Sequence, residues 1–246
     1  MRSDKGSALV TGASRGIGRA IALELAGCGY DLVISARASA EKLEDAKHEI
    51  MEKGVRCLSF LGDMGNAEDV RRMYAAIREE GLSLPSVVVN NAGISFVGLI
   101  TDMTDEQWQE ILNTNLSSVF YVCRECIPEM VRQKEGKIIN ISSVWGCVGA
   151  SCEAAYSATK AGVNGLTMAL AKELAPSHIS VNAIACGAVD TQMNDCFTKE
   201  ELQALAEEIP AGRMAAPEEV ARAVSRILDA GEYLTGQVIR LDGGWI

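Results

Sequence analysis

Ser7-Ala8-Leu9-Val10-Thr11-Gly12-Ala13-Ser14-Arg15-Gly16-Ile17-Gly18 is a short apolar run, a turn carrying three glycines, and the opening of a helix. Glycines let the backbone turn sharply and approach a pyrophosphate without Cβ clashes. The first turn of the helix that follows offers unpaired N–H groups at the positive end of its dipole. The spacing is Gly-x-x-x-Gly-x-Gly, and its place between a first strand and a first helix favours a phosphate cradle over a plain turn. Gly12, Ser14, Arg15, Gly16, Ile17 and Gly18 are therefore candidate cofactor contacts.

Outward from this turn, apolar runs alternate with amphipathic stretches. Strands are predicted at 7–10, 32–36, 55–61, 86–90, 137–141, 179–184 and 238–241. Helices are predicted at 16–28, 40–53, 67–80, 154–174, 199–208 and 217–230, with a long helical region over 105–133 broken near 113–115. Strands that alternate with helices pair in parallel through helical crossovers. Near-continuous apolar strands such as Val87-Val88-Val89 fit a sheet buried on both faces. The predicted fold is α/β, a doubly wound seven-stranded parallel sheet with helices on both faces, and residues 1–246 read as a single domain without a linker or repeat. In such folds the ligand lies beyond the carboxyl ends of the strands.

Composition excludes several classes. The 246 residues are 48% hydrophobic and 23% charged, enough apolar side chain for a sizeable core. A net charge of −10 argues against nucleic acid as a partner. No apolar run reaches the roughly 18 residues of a membrane span. Residues 1–6 carry no apolar signal-peptide stretch, so the expected location is cytoplasmic. The eight cysteines (28, 57, 123, 126, 147, 152, 186 and 196) read as free thiols, and neither Cys123-x-x-Cys126 nor the two histidines, His48 and His178, make a metal site.

The second strand ends in Ser35-Ala36-Arg37, without the acidic side chain that holds a ribose 2′-hydroxyl in NAD sites. Arg37 and Arg15 bring two guanidinium groups toward the place of a 2′-phosphate, so NADP(H) is the expected cofactor. Tyr156 and Lys160 are four apart on a helix and share one face. A phenol near its free pKa of about 10 is a poor acid, and a nearby ammonium is expected to lower it. The pair would then act as general acid for ketone reduction, or base for the reverse. Ser143, 13 residues upstream at a strand end, is placed to reach the same carbonyl oxygen. Asn90-Asn91-Ala92-Gly93 follows the fourth strand, where small residues leave room for a flat cofactor. Asn115 breaks the long helix, where its amide would hold a relay water.

Together these segments closely resemble the short-chain dehydrogenase/reductase family along the whole chain. The resemblance implies a Rossmann fold that binds NAD(P), with Asn115, Ser143, Tyr156 and Lys160 as a catalytic tetrad. Tyr156 would be the acid/base, Ser143 would orient the carbonyl, and Lys160 would also bind the nicotinamide ribose. Asp63 in Gly62-Asp63-Met64 resembles the adenine-contacting Asp, and Asn90, Ala92 and Gly93 join the cofactor wall with Met64. The segment 184–191, with Gly187, Val189 and Thr191, resembles the nicotinamide-side loop. Cys186 departs from the pattern, standing where a proline is usual, which implies a less rigid loop and a reactive thiol.

Segments 114–120, 209–214 and 234–244 look most like those of bacterial 3-oxoacyl-[acyl-carrier-protein] reductases. That likeness implies a 3-oxoacyl thioester substrate, fatty acid biosynthesis, and an acyl carrier protein met by basic residues at the cleft mouth, for which Lys134, Lys137 and Lys172 are the candidates. The absence of Arg near Ser177-His178 and the acidic whole argue the other way, for a hydroxysteroid, sugar or small alcohol. Ser95, Phe96, Trp145, Cys147, Val148, Cys152 and Met193 flank the catalytic segments as an apolar pocket that suits an acyl chain or a steroid. Residues 195–208 read as a lid or as a solvated acidic helix. The family also implies a homotetramer or homodimer, with helices at 106–133 and 154–174 between subunits.

Overall fold

A computed structural model describes residues 5–195 and 197–246; residues 1–4, within the amino-terminal stretch read above, and Cys196 lie outside them. Seven parallel strands form one sheet: β1 (Ser7–Val10), β2 (Asp31–Ala36), β3 (Cys57–Leu61), β4 (Val87–Asn90), β5 (Gly136–Ser143), β6 (Ile179–Cys186) and β7 (Val238–Leu241). Their order is β3-β2-β1-β4-β5-β6-β7, so the chain reverses direction across the sheet between β1 and β4. This is a Rossmann-like α/β fold, and its reversal point is where a ligand crevice opens.

Period-two alternation along the strands feeds two separate cores. Ala8, Val10, Leu32, Ile34, Val87, Val89, Ile139 and Ile141 face one core. That core is closed by α1 (Gly16–Gly27), α2 (Ala40–Glu52) and α9 (Pro217–Asp229). Leu9, Val33, Val88 and Ile138 face the other, closed by α3 (Ala67–Glu79), α5 (Ser118–Gln133) and α7 (Ala154–Leu174). Full burial of a side chain such as Leu25 or Ile77 is worth about 1.5–3 kcal/mol.

On the face of the second core Asn90 is buried, and its amide donates to Asn140 Oδ1 at 2.8 Å, while Asn140 donates to Thr167 Oγ1 at 2.8 Å. The expected break in the long helix is a single π-helical stretch, Asn113–Ser117, between α4 (Asp105–Leu112) and α5. Two further helices, α6 (Trp145–Val148) and α8 (Lys199–Glu208), border the carboxyl edge and the segment after it. No helix among the described residues is long and apolar enough to cross a membrane.

Candidate active site

The glycine turn forms a cradle held from both sides of the switch point. Gly12 and Gly16 have φ of +66° and +53°, backbone that disfavours side chains. A Cβ on Gly18 would run into the Gly12 carbonyl oxygen and the Asn91 amide, and one on Gly12 would come 2.9 Å from Ala92 Cα. Thr11 Oγ1 accepts from the backbone N–H groups of Asn91 and Ala92, both at 3.0 Å. Asn91 Nδ2 donates to the carbonyls of Thr11 and Gly12 at 2.9 and 3.1 Å. The end of β1 is thus clamped to the end of β4.

Above this cradle is a cavity of about 480 Å³, lined by residues 14–18, 35–39, 62–65, 91–95 and 191–193 with Gly12 and Thr114. Small residues at the cradle and N–H groups at the start of α1 fit a pyrophosphate, so the residues present suit a dinucleotide. Asp63 and Met64 line the cavity, and Asp63 is fixed by its own N–H donating to Asp69 at 2.8 Å and its Oδ1 accepting from Gly65 N at 2.8 Å. Arg15 and Arg37 both stand in the wall, and residues 36–39 present no carboxylate. Each arginine has a protein partner: Arg15 donates to Gln192 Oε1 at 3.0 Å, and Arg37 pairs with Glu110 at 2.8 Å.

Ser143, Tyr156 and Lys160 meet where β5 ends and α7 begins. Ser143 is the last residue of β5, paired in register with Cys186 at the end of β6. Its hydroxyl accepts from Trp145 N at 3.2 Å and lies close enough to the Tyr156 phenol to favour the phenolate. Lys160 is buried, its Nζ 5.5 Å from the Tyr156 ring centroid and donating to the Ile141 carbonyl at 2.9 Å. Gly93 joins this group to the cavity: a Cβ there would lie 3.4 Å from Asn115 Oδ1 and 3.6 Å from Lys160 Nζ.

The expected electrostatics are reversed at one point. Burial raises the Tyr156 phenol above its usual value; the nearby Ser143 hydroxyl opposes this, and the Cys186 and Glu153 sites add to it. Burial also draws Lys160 down to about 8, because its own charge is desolvated. Desolvation is thus the largest influence on both groups.

Other expectations shift too. Asn90 does not face the cavity, since its amide is committed to Asn140; Asn91, one residue on, lines it instead. Asn115 uses its side chain to clamp the Ile94 backbone in both directions, at 2.8 and 2.9 Å, and its amide nitrogen also donates to Thr159 Oγ1 at 3.2 Å. Gly187 packs on Asp242, and Val189 is buried beside a bridge to Ala215; of that loop it is Thr191 that lines the cavity. Cys186 is buried and its thiol is pushed up to about 12, which leaves it protonated and unreactive rather than nucleophilic. Lys134 caps α5, Lys137 is the second residue of β5, and Lys172 sits in the last turn of α7. All three lie at the amino ends of the strands, away from the cleft mouth where they were expected.

On the substrate side, Ser95 and Met193 line the cavity. Trp145 opens α6 and meets Trp245 edge-on at 4.8 Å. Cys147, Val148 and Cys152 are exposed, while Phe96 is half-buried beneath Gly98. The 195–208 segment contains α8, started by a Thr198 capping box with Glu201. Among the described residues no group of three His, Cys, Asp or Glu side chains is arranged to hold a metal.

With this geometry in place, the class of the protein follows: a family model described as short chain dehydrogenase matches residues 7–202, and the chain belongs to that family of oxidoreductases. Membership implies a nicotinamide dinucleotide as cofactor. The chain is 42% identical to "3-oxoacyl-[acyl-carrier-protein] reductase FabG" of Staphylococcus aureus, over 97% of both chains. It is 39% identical to "Uncharacterized oxidoreductase YmfI" of Bacillus subtilis, over 97% of this chain and 98% of the other. A crystal structure of a "putative gluconate dehydrogenase" from Agrobacterium tumefaciens superposes with a TM-score of 0.92 at 31% identity, covering 99% of this chain and 97% of that one.

Proposed function

We propose that the protein is an NADP(H)-dependent reductase of 3-oxoacyl thioesters, carried by acyl carrier protein. The observation that carries the reaction type is Tyr156 set beside Ser143 and buried Lys160, whose Nζ is 5.5 Å from the phenol ring, next to the cavity that Gly93 lines. A bound nicotinamide dinucleotide supplies the hydride. The Ser143 hydroxyl orients the ketone oxygen, and the Tyr156 hydroxyl gives it a proton as the carbinol forms. Lys160 holds its Nζ at the Ile141 carbonyl, where it can bind the nicotinamide ribose and supply positive charge beside Tyr156. Asn115 fixes the Ile94 backbone at the edge of the site.

The relatives named as 3-oxoacyl-[acyl-carrier-protein] reductases support the thioester substrate. The structural neighbour named for gluconate supports a second reading, a sugar or small-alcohol dehydrogenase on the same site. Exposed apolar side chains on α4, α5 and α7, Trp108, Phe120 and Met168, support a homodimer or homotetramer built on those helices.

The cofactor choice rests on Arg15 and Arg37. Losing a charge-assisted phosphate contact costs about 1.5–3 kcal/mol. Arg37→Asp is therefore expected to cut the kcat/KM preference for NADPH over NADH by roughly tenfold to a hundredfold. The measurement is initial rates with both cofactors on a 3-oxobutyryl thioester. An unchanged preference contradicts the NADP(H) assignment, and no thioester turnover in the native enzyme contradicts the substrate.

A further inference from the structure

Glu153 stands three residues before Tyr156, at the N-cap of α7, so one turn of helix separates its carboxylate from the phenol. Its Oε2 accepts from Ser95 Oγ at 3.0 Å, and Ser95 lines the cavity. The Trp145 indole lies near enough to the same carboxyl to favour its charged form, and the ring of Trp145 is backed by Trp245. The loops that carry these groups are tied together, Gly98 N donating to the Cys152 carbonyl at 2.8 Å. A half-buried carboxylate that accepts from Ser95 and lies beside the Trp145 indole is thus fixed near the proton donor on the substrate side, and among the described residues no cation pairs with it. A core role would favour an apolar side chain here, since burying a carboxylate costs free energy that neutral donors offset only in part. Burial raises this carboxyl, and the Ser95 hydrogen bond and the Trp145 indole pull it back.

We propose that Glu153 is a specificity-determining residue that selects neutral ketones over ketones carrying a carboxylate near the reacting carbon. The inference rests on Tyr156 as the proton donor. A ketone whose oxygen reaches Tyr156 places its α and β substituents within one helical turn of Glu153. A thioester or amide there is neutral, and an N–H or O–H further along can donate to the free lone pairs of the carboxylate. A free acid there sets a second carboxylate beside one that is already half-buried. The reactive form for this chain is then the thioester, with the acid masked, which requires an acylating reaction to precede it.

The test compares two matched pairs, neutral against anionic: a 3-oxobutyryl N-acetylcysteamine thioester with acetoacetate, and a neutral keto sugar with a keto sugar acid. Glu153→Gln keeps the shape and an acceptor oxygen for the Ser95 hydroxyl while removing the charge. The preference for the neutral member in kcat/KM is expected to fall about tenfold or more in Glu153→Gln, with KM for NADPH unchanged. A preference that stays the same in both pairs overturns the proposal. Turnover confined to the sugar pair contradicts the thioester reading while still testing charge selection within that pair. Should neither pair turn over, tryptophan fluorescence of the cofactor-loaded protein reads binding instead, and equal affinities of native and variant protein for neutral and anionic members also overturn it.

Discussion

Tyr156→Phe is expected to lower ketone reduction by roughly two to four orders of magnitude, the usual contribution of a positioned general acid. Dinucleotide affinity should be retained. The ring keeps its place on α7, and the one change is the hydroxyl that meets Ser143. Because burial raises this phenol, its proton is held firmly. Single-turnover rates and a binding titration of the same variant separate the two effects. Turnover close to that of the native enzyme would remove Tyr156 from the chemistry.

Gly18→Ala is expected to damage the cradle rather than the chemistry. Its new Cβ meets backbone, the Gly12 carbonyl, and the Asn91 amide that clamps β1 to β4. Neither neighbour is the free end of a flexible chain, so the turn must shift. Overpacking of this kind costs about 1–3 kcal/mol, and for a protein of this size each kcal/mol lowers Tm by roughly 2–4 °C. The shifted turn also moves the N–H groups meant for a pyrophosphate. At a cofactor concentration a hundred times Kd, bound dinucleotide stabilises the native protein by about 2.7 kcal/mol, and the variant should lose most of that gain. Melting curves with and without NADPH check both effects. A variant that keeps the native Tm and the native ligand-induced shift would contradict the cradle.

The sheet was legible because its strands are apolar on both faces and its helices are amphipathic. The ends of β5 and β6 were not: both run two residues past the predicted ends, β5 because polar Ser142 and Ser143 pair with Ala185 and Cys186 whatever their polarity. α6 is four residues long and includes Gly146, too short for any period to announce it.

Within the site, Tyr156 and Lys160 could be paired from helix spacing alone. The sign of the Tyr156 shift could not, because it depends on how deeply both groups are buried. Asn90 and Asn91 are adjacent and alike, and the pleat alone decides which of them faces the cavity. Glu153 meets Ser95 across 58 residues of sequence, a contact that no local pattern carries. The lysines failed as cleft residues for a related reason: placing them needs the direction of β5 and α7 relative to the site.

The most direct measurement follows label from NADPH deuterated at nicotinamide C4 into product, by mass spectrometry, with a 3-oxobutyryl thioester as substrate. The account predicts one deuterium at C3 of the 3-hydroxyacyl product with the native enzyme, and almost none with Tyr156→Phe under saturating cofactor. Native protein that binds the dinucleotide yet transfers no label to this ketone, or a Tyr156→Phe variant that transfers it at the native rate, would contradict it.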